Sequence, residues 1–348
     1  MTLPPTMSGV LLTGHGGPEK LVWSDAIPVP RPGEGGVVVR VRAAGVNNTD
    51  INTRIGWYAK SVTGATDQGG ADADGGWAGA IAFPRIQGGD LCGEVVALGE
   101  GVDRGLMGRR VTCPINQPDP VMPYRFRALG SEFDGAFSEY CRVDADQLHD
   151  VTRSPLSDVE IGAMPCAFGT AWNMIHRAGV SDGDRVLVTG ASGGVGLAAV
   201  QLARLRGARV TGISSADKAD AVRAVGAEEV IGRDGVPEAG AFAAVIDIVG
   251  GAGFSDRLLA LAPGGRYAVS GAIAGPMVSA DLRTVYLNDL TILGCTWQPK
   301  SAFAGLVDLI NEGRVRPLVS KTYPLRDIAR AQEDFLSKRH PGKLVLIP

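Results

Sequence analysis

The run from Asp184 to Gly196, Asp-Arg-Val-Leu-Val-Thr-Gly-Ala-Ser-Gly-Gly-Val-Gly, is the stretch of this chain best suited to hold a charged ligand. A short β-branched strand ends in glycines at 190, 193 and 196 and passes directly into the amphipathic pattern of residues 197–204. Such a turn brings bare backbone N–H groups and a positive helix end against a pyrophosphate. The spacing is G-x2-G-x2-G rather than the commoner G-x-G-x-x-G, so the surroundings carry much of the weight. A second strand, 208–213, follows at the distance a βαβ unit requires. Ser192, Gly193, Gly194 and Val195 are the expected cofactor-binding residues of the turn. The alternative is a tight turn that needs glycine only for its backbone angles.

The end of the second strand selects between the two nicotinamide dinucleotides. NAD sites usually place a carboxylate about 20 residues beyond the glycine turn, accepting from the ribose 2′-hydroxyl. Here Ser214 and Ser215 stand at that point, with Lys218 close behind and no carboxylate before Asp217. Hydroxyls can donate to a 2′-phosphate and Lys218 can neutralise it. Arg233, after the third strand 229–231, is a second candidate cation. These residues favour NADP(H), although Lys218 also reads as an ordinary solvated lysine.

The elements that must position this site follow from the rest of the chain. Its 348 residues suffice for two domains, each with a full core. Residues 1–155 show short alternating strands broken by Gly and Pro, a β-rich pattern without long helices. Between 156 and 300, strands at 185–189, 208–213, 229–231, 243–249, 266–271 and 290–296 alternate with helical patterns. That alternation predicts an α/β fold with a doubly wound six-stranded parallel sheet. Helices over 302–311 and 326–337 and a closing strand 343–347 then return to the first domain as residues 301–348. Carboxyl ends of parallel strands face the cofactor crevice, so Gly271 and Ala272, and Cys295, Thr296 and Trp297, are expected near the nicotinamide.

Composition excludes other classes. Hydrophobic residues make up 45% and charged residues 20%, a globular balance. A net charge of −3 offers no reason to bind nucleic acid or an anionic membrane. No apolar run is long enough for a membrane span, and no secretory pattern opens the chain. Five scattered cysteines suit reduced thiols and a cytoplasmic setting.

Taken together, the opening strands, Ala44-Gly-Val46 with Asp50, residues 88–93 (Gly-Gly-Asp-Leu-Cys-Gly), Gly169-Thr-Ala-Trp172, the glycine turn and the Gly-Lys-Leu-Val-Leu-Ile ending resemble the medium-chain dehydrogenase/reductase superfamily. The resemblance implies a GroES-like catalytic domain interrupted by a Rossmann domain, with the active site in the cleft between them. It also exposes a departure. Zinc enzymes of that superfamily place a cysteine where Asn47 stands and a histidine where Gly89 stands, and only Cys166 keeps a ligand position. One thiolate cannot hold a catalytic zinc, which takes about three protein ligands. The chain is therefore similar to the zinc-independent quinone oxidoreductase branch, and no metal is expected.

Without a Lewis acid, the easy chemistry is hydride delivery from NADPH to a quinone or an α,β-unsaturated carbonyl. The resemblance makes Tyr58, Asn47 and Asn52 the catalytic set. Tyr58 is the hydrogen-bond donor to the substrate oxygen and Asn47 a polar anchor beside the nicotinamide. Asn52 replaces a second tyrosine of that branch. Thr170 matches a threonine near the nicotinamide. The bland alternatives are a turn residue for Asn47, a packing residue for Tyr58 and a helix cap for Thr170. A Gly-, Ala- and Asp-rich insertion, 61–82, is expected to form a lid, with Trp57 or Trp77 as an apolar wall, or else a solvated loop. The apolar strand 290–295 is expected to pair two copies into a homodimer, with a tetramer as the larger option. Two competing functions remain: a zinc alcohol or polyol dehydrogenase using Asp90 and Cys166, and a crystallin-like NADPH-binding protein without turnover.

Overall fold

The computed structural model describes residues 3–68, 70, 76–77, 79–119, 122 and 125–348. The chain forms two compact units. The first comprises Met1–Val62, Gly69–Cys166 and Pro299–Pro348, and the second Thr63–Gln68 and Ala167–Gln298. Residues 156–166 thus join the β-rich unit and Thr63–Gln68 the parallel-sheet unit, each opposite to the sequence expectation.

In the first unit the strand Gly36–Gly45 is the hub. It pairs antiparallel with Cys92–Leu98, with Tyr140–Asp144 and with the terminal strand Lys343–Ile347. Its valines at 37, 39 and 41 pack with Leu91, Val95, Phe137 and Leu346 in one apolar core. The register Val345↔Gly45 matters for chemistry, because counting outward along antiparallel strands sets Lys343 opposite Asn47. A chain end almost 300 residues away in sequence is thereby placed beside the short helix Asn48–Arg54.

The second unit is a six-stranded parallel sheet. Its spatial order is Glu229–Ile231, Arg209–Ile213, Arg185–Val188, Phe242–Asp247, Leu261–Val269 and Thr291–Gly294. That 3-2-1-4-5-6 order is the doubly wound dinucleotide-binding topology, and it confirms the expected fold class. The order reverses between Arg185–Val188 and Phe242–Asp247, so the glycine turn after the first of these opens at the switch point. Two strands differ most from expectation. The fifth begins at Leu261, earlier than position 266, and ends at Val269, because its start continues past a register shift near Phe242. The sixth is only Thr291–Gly294, leaving Cys295 to Trp297 in the loop beyond it. Near the C-terminus, the helix read at 326–337 is Ile328–Leu336 preceded by a 3-10 turn, Leu325–Asp327. Among the described residues no helix is long and apolar enough to cross a membrane.

Candidate active site and cofactor cradle

In the second unit the glycine turn is built for close approach. Gly190 has φ +55°, a left-handed angle, and a Cβ on Gly196 would lie 2.2 Å from the Gly190 carbonyl oxygen. Gly193 is the N-cap of the helix Gly194–Leu205, and no side chain caps it. Ser192, Gly193, Gly194 and Val195 are all half-buried, so their backbone donors stay within reach of a ligand.

The lips of this crevice are held by a buried polar knot. Thr189 donates to Asp247 Oδ1 at 2.6 Å, and the same oxygen accepts from Val249 N at 2.9 Å and Gly250 N at 3.2 Å. The Tyr267 hydroxyl donates to the other oxygen of Asp247, which also lies 3.3 Å from the Arg257 guanidinium. Asp247 and Tyr267 are fully buried, so every member of the knot needs its partner. The sequence reading missed all four side chains. Their signal was weak, since a threonine, an aspartate and a tyrosine in apolar strands carry no spacing motif.

Beyond the second strand, Ser214 is buried and its hydroxyl has no partner among the described residues. Lys218 is also buried, at 8% exposure, which removes the reading of a solvated surface lysine. Arg233 is exposed. Asp217 completes this corner. The neighbouring polar Ser215, with Lys218 and Arg233, holds its carboxyl below the usual range. Cationic and hydroxyl groups therefore surround one carboxylate, and the orphaned Ser214 hydroxyl is a vacancy a phosphate oxygen or ribose hydroxyl would satisfy. A dinucleotide fits the residues present.

Of the remaining positions, Thr170 lies inside the helix Pro165–Arg177 and not at its start, which excludes the helix-cap reading. Gly271 and Ala272 are half-buried just after Val269. Cys295 is buried with its N–H donated to Val269 O at 2.8 Å, so its backbone donor is already used. Trp297 is 43% exposed, and its carbonyl accepts from Asn173. Thr296 is exposed.

In the first unit, polar residues converge in an otherwise apolar interior. The Asp90 carboxylate, fully buried, accepts from Lys343 Nζ at 3.0 Å, from Asn47 Nδ2 at 2.9 Å and from Cys166 N at 2.6 Å. The Lys343 ammonium, 3% exposed, also donates to Val46 O at 3.0 Å and to the Asn47 side-chain oxygen. Asn47 is thus engaged at both ends of its amide, with Gly45 O a further acceptor at 3.3 Å. This corrects the expected role. An amide already spanning Asp90 and Lys343 has nothing left to anchor a nicotinamide, and Asn47 instead ties the ion pair to the helix start. Asp50 accepts from Asn47 N at 2.8 Å, and burial pushes its carboxyl up to about 7, with Asp90 raising it further and Lys343 opposing.

The residues do not fit zinc. A Cβ on Gly89 would lie 2.2 Å from Ile115 Cδ1, so the position that would carry a histidine is already filled by an isoleucine. Burial pushes the Cys166 thiol up to about 12, and Asp90 is saturated by the neighbouring ammonium. Among the described residues no group of three or more His, Cys, Asp or Glu could hold a metal ion.

Tyr58 lies near enough to this cluster for the charges of Cys166 and Asp50 to act on it. Its ring stacks on Trp77 with centroids 5.9 Å apart and meets Trp57 edge-on at 5.5 Å. Burial among these rings holds its phenol well above the usual range, so it stays protonated, and a hydrogen bond from Asn52 only partly opposes this. Asn52, 4% exposed, in turn accepts from Asn48 Nδ2 at 3.2 Å. Asn52 therefore orients the phenol. Both tryptophans expected as an apolar wall do line Tyr58. The insertion is split: Thr66 is buried, its N–H bonded to Ile273 O at 3.1 Å within the second unit, while 69, 71–75 and 78 lie outside the described residues. Thr49, absent from the sequence reading, presents a buried hydroxyl with no oxygen or nitrogen partner at the start of the same helix as Asn52.

Comparison with known proteins agrees with this architecture. The alcohol dehydrogenase GroES-like domain family matches residues 33–153, and the zinc-binding dehydrogenase family matches residues 218–346. An acryloyl-coenzyme A reductase of Metallosphaera sedula is 32% identical over 91% of this chain and 93% of its own length. The rat quinone oxidoreductase is 27% identical over 98% of each chain. A solved structure from Sinorhizobium meliloti, ascribed to the alcohol dehydrogenases, is 42% identical with a TM-score of 0.90, covering 99% of this chain and 98% of that one.

Proposed function

The chain belongs to the medium-chain dehydrogenase/reductase superfamily, in its quinone oxidoreductase-like branch, and from that premise we propose an NADPH-dependent, zinc-independent reductase of electron-poor acceptors. The observation that carries this reading is the Tyr58 phenol held between Trp57 and Trp77, in a unit where Ile115 fills the space beside Gly89 and Lys343 pairs with Asp90. With no Lewis acid to ease loss of an alcohol proton, the acceptor must bring its own activation. A quinone or an α,β-unsaturated carbonyl does so, because its oxygen takes up charge as hydride adds at carbon. Bound NADPH supplies the hydride. Tyr58 donates a hydrogen bond to the developing enolate or hydroquinone oxygen, while Trp57 and Trp77 exclude water around it. The unpartnered Ser214 hydroxyl, with Lys218 and Arg233, supports NADPH over NADH. The acryloyl and quinone groups in the relatives' names belong to this acceptor class.

The site is also proposed to work in a homodimer. One edge strand of the parallel sheet, Thr291–Gly294, exposes Ile292, and nearby Leu282, Tyr286 and Leu287 are more than 60% exposed. An unpaired apolar edge of this kind suits a second copy of the same edge.

The test is NADPH consumption with 1,4-benzoquinone, 9,10-phenanthrenequinone, 2-alkenals and simple alcohols, with zinc assayed on the same sample. Turnover of quinones or alkenals by zinc-free protein supports the proposal. Alcohol oxidation with one zinc per chain overturns it in favour of Asp90 and Cys166 as ligands. Tight NADPH binding without turnover of any acceptor overturns it in favour of a non-catalytic binding protein.

A further inference from the structure

A cleft of about 540 Å³ opens in the first unit, away from every residue assigned above. Four arginines line it: Arg31, Arg85, Arg127 and Arg142. Two carboxylates answer them. Arg85 Nη1 lies 2.8 Å from Asp134 Oδ1, and Arg142 Nη1 lies 2.6 Å from Asp144 Oδ1. No ion pair reaches Arg31 or Arg127 among the described residues, so the cleft carries two positive charges in excess in a chain whose net charge is −3. The Arg127 guanidinium lies over the Phe133 ring at 5.2 Å, and Met7 and Ile27 add apolar wall.

The strand Phe126–Ala128 explains why this cleft is not part of the Tyr58 site. Successive side chains of a strand point to opposite faces. Phe126 meets Trp77 edge-on at 5.8 Å, and Ala128 packs with Cys166, Ile115 and Trp77. Arg127, between them, faces the other way and lines the cleft. The two sites share a strand as a common wall and open on opposite faces of it.

We propose that this cleft is a second binding site, for a small molecule carrying an oxyanion, phosphate or carboxylate, on an apolar body. The volume lies in the range of small-ligand pockets, ~300–1,000 Å³. Planar guanidinium groups bind such oxyanions in two-point fashion, and the ring and aliphatic wall cover the apolar part. The excess of two cations sets the preferred charge at a dianion, so a phosphate monoester binds more tightly than a monocarboxylate.

The experiment is a fluorescence titration with 8-anilinonaphthalene-1-sulfonate, an oxyanion on an apolar body, in saturating NADPH to close the dinucleotide site. The expected result is one saturable probe site per chain, displaced by phenyl phosphate at lower concentration than by benzoate at equal ionic strength. Arg31→Gln, at an exposed position that leaves the fold intact, raises the probe Kd several-fold. The double variant Arg31→Gln/Arg127→Gln raises it at least tenfold, with the Kd for NADPH unchanged. Loss of all probe binding when NADPH is added overturns the proposal. So does an affinity in the Arg31→Gln variant equal to that of the native chain. Because the readout is binding, it stands apart from whether quinones or alkenals turn over.

Discussion

Lys343 shows how a buried charge can serve as an internal cation. Its ammonium bonds to Asp90, Asn47 and the Val46 carbonyl, and nearly all of it is hidden from solvent. Removing one partner of a buried pair leaves the other uncompensated, at a cost of about 3–5 kcal/mol. Lys343→Met is therefore expected to lower Tm sharply, while Asp90→Asn/Lys343→Met recovers much of the loss; thermal melts of the three proteins check this. Tyr58 is a different matter, since the proposed reaction makes it a donor to the substrate oxygen. Tyr58→Phe removes one donor to a developing oxyanion, and kcat for an alkenal is expected to fall about 100-fold with NADPH binding retained. Asp50 supplies a pH signature. Its carboxyl titrates near 7 in the folded chain against an ordinary value of 3.8, so the folded state binds the extra proton between those limits. Stability from this site is full below about pH 4 and is lost as pH rises through about 7. Asp50→Asn should remove that decline, seen as a smaller Tm difference between pH 5 and pH 8, with Asp90 and Lys343 the facing charges in both proteins.

Among the elements, the glycine turn and the helix it starts are the most sharply constrained. A methyl at position 196 would meet the Gly190 carbonyl at 2.2 Å, and backbone on both sides leaves nothing flexible to give way. Gly196→Ala should push the helix start off the turn, costing roughly 1–3 kcal/mol of stability and weakening NADPH binding at least tenfold by fluorescence titration. The loop that follows Phe242–Asp247 is equally fixed, by side chains instead of by absent ones. Asp247 gathers Thr189, Tyr267 and two backbone N–H groups, so the crevice is set before any ligand arrives.

At the scale of the whole molecule, each unit is closed by chain from elsewhere in the sequence. The terminal strand Lys343–Ile347 lies between Gly36–Gly45 and Val319–Pro324 in the first unit's sheet, and Thr63–Gln68 joins the second unit although the chain before it belongs to the first. The exposed strand Thr291–Gly294 is one of the two edges of the parallel sheet among the described residues, Glu229–Ile231 being the other. Ile292→Lys places a charge on the Thr291–Gly294 edge, and the proposed homodimer is expected to give way to monomer by light scattering without loss of Tm for the remaining fold.

The parallel sheet was legible from the sequence because its cause is local. β-branched runs separated by amphipathic patterns at βαβ spacing specify strand, turn and helix whatever surrounds them, and all six strands occur within a few residues of the expected places. Glycines at 190, 193 and 196 marked the turn for the same reason, since backbone geometry depends on the residue itself. The departure from the zinc pattern was half legible: Asn47 and Gly89 stood where ligands would be, but Ile115 packing against Gly89 and Lys343 pairing with Asp90 join residues that the order of the chain keeps apart. Asn47 was read as a ligand anchor because its neighbours were unknown, and strand register turned it into a bridge between Asp90 and Lys343. Burial likewise decided the protonation of Tyr58 and Asp50, since desolvation belongs to the packed interior and leaves no mark on the order of residues.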